Sequence, residues 1–455
     1  MEEMNGLLSG LFGTARVAAL FTDAARLQGM LDFEAALARA QASAGVIPAY
    51  AVAPIETQCR AGLFDLNALA SATALAGNPA IPLVKALIER VAADDARAAR
   101  YVHWGATSQD LIDSGLMLQL RGALDLLETD LERLAQALAA AARAHRSTPM
   151  IARTLLQHAL PITFGLKLAG WLDAITRDRE RLAQTRRRAL ALQFGGACGT
   201  LAALGDRGIA VSKALARELD LPEATLPWHA QRDRVVEVAA TLGLLAGTLG
   251  KIGLDVALLM QSDVAEVFEP AAEGKGGSSA MPHKRNPVGS VVAQAAALRV
   301  PGLVATMLSA MLQEHERGVG GWHAEWETLP QIVLLTAGAL GVTVPMVGAL
   351  EVDVARMRKN LDTADALIMA EAVALALGEH IGRSQAHHLV EAACRRAIAE
   401  GRHLRTVLGE IAEVGQHLHG DALDRLLDPA HYTGCAGDFI DRALAAARPA
   451  PGGGR

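Results

Sequence analysis

The chain has 455 residues, 51% hydrophobic and 20% charged, enough apolar material for a large core and too much for a disordered polymer; the length suggests roughly three domains of about 150 residues. A formal charge of −6, from 43 basic and 49 acidic residues, excludes the strongly basic footprint of a nucleic-acid binder. Aromatic residues are scarce (eight Phe, five Trp, three Tyr), and Ala and Leu carry the apolar content, which favours helices over a large β-sandwich.

Met1-Glu2-Glu3 opens on acids and lacks the basic start of a signal peptide. Cys59, Cys198, Cys394 and Cys435 form no C-x-x-C pair, so reduced thiols in a cytoplasmic protein are expected. Residues 1–108 read as an N-terminal domain of helices broken at Gly45-Val46-Ile47-Pro48 and Gly77-Asn78-Pro79. Residues 109–350 read as a central up-and-down helical bundle. Its first helix carries Leu116, Leu120, Ala123, Leu127, Leu131, Leu134 and Leu138 in steps of three and four, one continuous apolar stripe. Further long helices are expected after Pro161, over about 230–262, after Pro287 and over about 325–348. The uncharged stretch from Ile332 to Leu350 is close to the roughly 20 residues of a membrane span. It contains Thr336, Gly338, Gly341, Thr343 and Pro345, and no second such stretch clearly accompanies it, so a buried helix and no membrane contact are expected. The cluster Arg356-Met357-Arg358-Lys359-Asn360 marks the start of a C-terminal helical domain over 351–448, and 449–455 read as a disordered tail. The fold class is all-α.

One segment departs sharply from the Ala/Leu pattern: Gly274-Lys275-Gly276-Gly277-Ser278-Ser279-Ala280-Met281-Pro282-His283-Lys284-Arg285-Asn286-Pro287. Its glycines permit positive φ and close backbone approach to a ligand. Asn286-Pro287 reads as the N-cap and first residue of a long helix. Lys275, Lys284 and Arg285 add fixed positive charge, so loop, helix terminus and cations together suggest an anion site. It is not a P-loop.

Residues 277–287 match the signature G-S-S-x-M-P-x-K-x-N-P, and through it the chain resembles the fumarase/aspartase superfamily. The resemblance implies a helical homotetramer of three-domain chains, a central bundle of long helices, and active sites each shared between subunits. It implies proton transfer at a carbon next to a carboxylate, with Ser278 as catalytic base beside Ser279 and Met281. Lys284 and Asn286 would bind the substrate carboxylate and stabilise an enolate-like intermediate. His103-Trp104-Gly105-Ala106-Thr107-Ser108-Gln109-Asp110 resembles the superfamily's G-x-T-S-x-D element. His103, Thr107 and Ser108 are therefore substrate-binding candidates, although Thr107 and Asp110 also fit a plain capping box. Arg153-Thr154-Leu155-Leu156-Gln157-His158 resembles the element that supplies Thr, His and Gln in the lyases, making Arg153, Thr154 and Gln157 candidates too.

Two departures narrow the resemblance. Fumarases, argininosuccinate lyases and adenylosuccinate lyases usually place a histidine where this chain has Leu155, and its glutamate partner where it has Val291. Both members of the His–carboxylate pair are absent together, which leaves no unpaired buried charge. Blocks from Leu27-Gln28-Gly29-Met30-Leu31-Asp32-Phe33-Glu34 through Ala80-Ile81-Pro82, Pro227-Trp228-His229-Ala230-Gln231-Arg232 and Trp322-His323-Ala324-Glu325 to Asp428-Pro429-Ala430-His431 resemble the bacterial 3-carboxy-cis,cis-muconate cycloisomerase branch. That branch implies lactonisation of a tricarboxylate: one carboxylate adds across a double bond and a proton arrives beside another. His158, three positions beyond Leu155, would face the same side of a helix and is the candidate general acid or substrate ligand. Gln231 and Arg317 are further substrate-binding candidates. No cofactor motif and no metal site are expected. The competing readings are an adenylosuccinate lyase-like β-elimination enzyme and a non-catalytic structural relative.

Overall fold

The computed structural model describes residues 7–277, 280–281, 283–419 and 421–448. Met1-Glu2-Glu3, Ser278, Ser279 and the tail 449–455 lie outside the described residues. Among the described residues the architecture is helical, with only two short antiparallel ribbons. The expected long helices run over Ser108–Ala144, Phe164–Ala189, Asp233–Leu259, Val288–Ser309 and Gly321–Gly348. Of the expected stripe, Leu116 is half-buried and Leu120, Ala123, Leu127, Leu131, Leu134 and Leu138 are buried, each worth about 1.5–3 kcal/mol where the side chain is large.

By packing, the described residues within 1–132, 178–250 and 292–342 form one unit, and those within 133–177, 251–291 and 343–455 form a second. In the first, the Asp23–Ser43 helix is capped by the Thr22 hydroxyl, which accepts the Ala25 N–H at 3.1 Å. It buries Leu27, Met30, Leu31, Phe33 and Leu37 and packs against the Gly208–Leu219 helix. In the second, Ala370–Ile381 and Arg383–Glu400 pair across Gly382 over a core of Met369, Val373, Leu377, Val390, Leu404, Val407 and Leu408.

Two sequence expectations are corrected. The uncharged stretch, which begins inside the Gly321–Gly348 helix, has two companions: Asp233–Leu259 and Val288–Ser309 are likewise long and apolar enough to cross a membrane by length and composition. Arg299 stands mid-way along Val288–Ser309, and Lys251 and Asp255 interrupt Asp233–Leu259, so a charge-free window finds only one of the three. The second correction concerns His158, which is not on a helix. Pro149–Thr154 and Gln157–Thr163 form an antiparallel hairpin with Arg153 opposite His158 and Thr154 opposite Gln157. Its turn residues, Leu155 (φ 50°) and Leu156 (φ 64°), are both left-handed. Such turns usually carry Asn or Gly, so the leucines conceal the hairpin in the sequence.

Candidate active site

In the first unit the entry to the Ser108–Ala144 helix is built around Asp110. This fully buried carboxylate accepts the backbone N–H groups of Thr107, Gly195 and Gly196 at 3.0, 3.0 and 2.9 Å, and it meets His229 Nε2 at 2.9 Å. The acid half of the expected capping box is therefore real, but the Thr107 hydroxyl is turned to another task. It accepts from Arg317 Nη2 at 3.2 Å. Arg317 also donates to Ala197 O, and it has no carboxylate partner among the described residues.

Gly105 lets the turn close: its φ is +71°, and a Cβ there would meet Leu204 at 2.7 Å. His103, likewise left-handed at φ 57°, has its Nδ1 2.6 Å from Glu34 Oε1. Burial alone would lower the His103 pKa, but the charge and hydrogen bond of Glu34 outweigh it and raise the pKa from its ordinary value. His103, Thr107 and Ser108 line one cavity of about 590 Å³ with Ala80, Ile81 and Lys85.

One turn further along the helix, Arg232 is wholly buried between Asp113 and Glu325. Its Nη1 lies 2.7 Å from Asp113 and its Nη2 2.5 Å from Glu325, with the Trp228 ring 4.9 Å away. Burial raises the Glu325 pKa against the opposing pull of Arg232. Gln231, its neighbour in sequence, is exposed.

In the second unit the glycine-rich segment differs from its sequence reading in three ways. The helix begins at Val288, and Pro287 O accepts the Val291 N–H, so Pro287 rather than Asn286 is the N-cap. The helix terminus is already occupied by an anion of the chain itself: Glu269 accepts from Gly289 N, Ser290 N and Ser290 Oγ at 3.0, 2.8 and 2.8 Å. Two of the three cations are also engaged. Lys275 lies 3.4 Å from Glu269, and Arg285 pairs bidentately with Glu351 at 2.8 and 2.9 Å, holding that carboxyl below its usual range. Lys284 alone of the three has no ion pair among the described residues.

Asn286 closes the neck of the loop. Its N–H donates to Gly276 O at 2.8 Å and its Nδ2 to Gly277 O at 3.3 Å. The approach is so close that a Cβ on Gly276 (φ +69°) would lie 2.6 Å from Asn286 O. Met281, Lys284 and Asn286 line a cavity of about 550 Å³ with Met260, Gln261 and Phe268.

On the hairpin, Thr154, Gln157 and His158 are exposed around the turn. Arg153 is committed elsewhere, donating at 3.0 and 2.8 Å to the two oxygens of buried Glu266, which Asn360 also contacts at 2.7 Å. The site residues thus assemble as His103, Thr107, Ser108 and Arg317 in the first unit. In the second, Met281, Lys284 and Asn286 line a common cavity, and Thr154, Gln157 and His158 share the hairpin tip.

The lyase family description matches residues 13–302, and that of the adenylosuccinate lyase C-terminus matches 366–443. The chain belongs to the fumarase/aspartase superfamily of lyases. Among members of this superfamily, the 3-carboxy-cis,cis-muconate cycloisomerase of Pseudomonas aeruginosa is 62% identical over 441 residues, covering 97% of this chain and 96% of the relative. That of Bradyrhizobium diazoefficiens is 56% identical over 441 residues, covering 97% and 98%. The crystal structure of the 3-carboxy-cis,cis-muconate lactonizing enzyme from Pseudomonas putida is similar with a TM-score of 0.94 at 55% identity, covering 97% of this chain and 99% of that one. Sequence reasoning on the lyase motifs missed Glu34, Glu269 and Arg232. Glu34 had a visible signal, since it occupies an apolar position seven residues after Leu27 on a buried helix face.

Proposed function

We propose that the chain is a 3-carboxy-cis,cis-muconate cycloisomerase, converting its trianionic substrate to 4-carboxymuconolactone in the protocatechuate branch of the β-ketoadipate pathway. The observation that carries this reading is the near full-length identity of 62% to a relative of that name. The chemistry is an isomerisation: a carboxylate oxygen forms a C–O bond across the double bond, and the adjacent carbon takes a proton. Negative charge develops on the carboxylate next to that carbon. Lys284, the loop cation without an ion pair among the described residues, is suited to stabilise it.

Arg317, held by Thr107, and His103 supply positive groups for the remaining carboxylates. Ser108, at the start of the Ser108–Ala144 helix, adds a hydroxyl for carboxylate binding. Ser278 and His158 are the groups assigned to proton transfer, with Ser279, Met281, Thr154, Gln157 and Asn286 around the substrate. Gln231, which is exposed, is a further substrate-binding group in this reading, whereas Arg153, held by Glu266, receives no substrate contact.

The working form is a homotetramer in the cytoplasm, each active site combining segments from different subunits. Support comes from the apolar Val288–Ser309 helix, which leaves Val291, Leu298 and Leu308 exposed at 57%, 82% and 53%, a surface that water disfavours. The deciding experiment offers the purified protein 3-carboxy-cis,cis-muconate and adenylosuccinate in parallel. Loss of the diene absorbance with the first alone is expected. Turnover of adenylosuccinate alone overturns the reading in favour of the β-elimination enzyme, and silence toward both favours a non-catalytic relative.

A further inference from the structure

Glu34 sits on the inner face of the Asp23–Ser43 helix with a side-chain exposure of 1%, where a carboxylate is costly unless paired. Its Oε1 lies 2.6 Å from His103 Nδ1, and its Oε2 meets no donor among the described residues. Among the described residues, the histidine is thus the one polar side chain hydrogen-bonded to this buried charge. His103 is itself held in a left-handed conformation at φ 57°, a strained arrangement that persists where surrounding structure enforces it. Its ring lines the cavity shared with Lys85, Thr107 and Ser108. With Nδ1 committed to Glu34, Nε2 is the ring nitrogen left to meet a ligand there.

We propose that Glu34 is a positioning residue: it fixes the His103 ring and keeps it doubly protonated, so that an imidazolium Nε2–H faces a carboxylate of the substrate in the 590 Å³ cavity. This rests on the cycloisomerase reading for the identity of the anion, but the dyad itself does not. The charged groups around the ring favour the same state. Glu34 faces it from the Asp23–Ser43 helix and Asp110 from the start of the Ser108–Ala144 helix, both raising its pKa. On the Ala80–Asp94 helix, Lys85 and Glu89 line the same cavity with opposite charges, and Arg317 reaches Thr107 beside it. Behind Glu34 the buried Cys59 thiol is pushed up by burial and by the Glu34 charge, so it stays neutral.

The test is a titration with a kinetic companion. Labelling histidine Cε1 with ¹³C in the full-length protein, with His103→Gln to assign the signal, reads the His103 protonation equilibrium without any substrate. Wild-type His103 is expected to titrate above an ordinary histidine, and in Glu34→Gln at lower pH than in wild type. With 3-carboxymuconate, Glu34→Gln is expected to lose about 10–100-fold in kcat/KM, as removal of an orienting partner typically does. The alkaline limb of its pH profile moves to lower pH, and Glu34→Asp restores part of both. A wild-type His103 that titrates at or below the ordinary histidine value overturns the proposal, whether or not Glu34→Gln folds. So does an alkaline limb unmoved by Glu34→Gln. If wild type fails to turn over 3-carboxymuconate, the cycloisomerase reading fails, while the titration still decides the dyad.

Discussion

Glu269 holds Ser290 twice, accepting its backbone N–H and its hydroxyl at 2.8 Å each, so one buried carboxylate fastens the signature loop to the helix that follows it. The same carboxylate takes the Gly289 N–H and faces Lys275. Charge-assisted hydrogen bonds of this kind are worth about 1.5–3 kcal/mol. Glu269→Ala is therefore expected to lower unfolding stability by at least about 1.5 kcal/mol, read from urea denaturation. Stability equal to wild type would show that the clamp does not form.

Among the three loop cations, Lys284 is the one that its own chain leaves without an ion pair among the described residues. Lys284→Met is expected to reduce kcat by about 100- to 1,000-fold, the scale for removing a group that meets developing negative charge, with stability unchanged. Arg285→Met, which breaks the bidentate pair with Glu351, acts first on the order of the loop. Steady-state kinetics with parallel thermal melts separate the two; equal kcat for wild type and Lys284→Met would remove Lys284 from the reaction.

Arg232 neutralises two carboxylates in a place where neither can reach water: the side chains of Arg232, Asp113 and Glu325 are 0%, 1% and 1% exposed. Deleting the cation strands both charges, which costs about 3–5 kcal/mol in comparable buried networks. Arg232→Met is expected to fall in that range by chemical denaturation. Asp113→Asn and Glu325→Gln in the same background recover part of the loss, because they remove the stranded charges. A single variant as stable as wild type would contradict the pairing.

The hairpin turn is built from the wrong residues for its shape. Leu155 and Leu156 are 97% and 76% exposed, so their replacement gives up little packing. Their left-handed conformations cost roughly 1–2 kcal/mol per residue. Leu155→Asn with Leu156→Gly is expected to stabilise the protein by about 1–2 kcal/mol, read as a higher urea midpoint. A lower midpoint would mean that the leucines are buried in the working assembly.

The helices were legible because their signal is periodic: Leu120 through Leu138 repeat at helical spacing, and all of them are buried. The hairpin was hidden because Leu155-Leu156 carries no turn chemistry, and this misplaced His158 on a helix. The anion site was half legible. The sequence displays Lys275, Lys284 and Arg285 as equals, yet Glu269 and Glu351, distant in sequence from their partners, claim two of them. Such internal pairing depends on tertiary contact, which local pattern does not encode. Glu34 was present in a recognised block, but its meaning required His103, 69 residues away.

The central claim is intramolecular addition of a carboxylate with delivery of a proton beside another. Its most direct test is ¹H NMR of 3-carboxy-cis,cis-muconate turned over by the purified protein in D₂O. The account predicts a single lactone product carrying solvent deuterium on the carbon next to a carboxylate. Cleavage into two products, or a lactone without deuterium at that carbon, would contradict it.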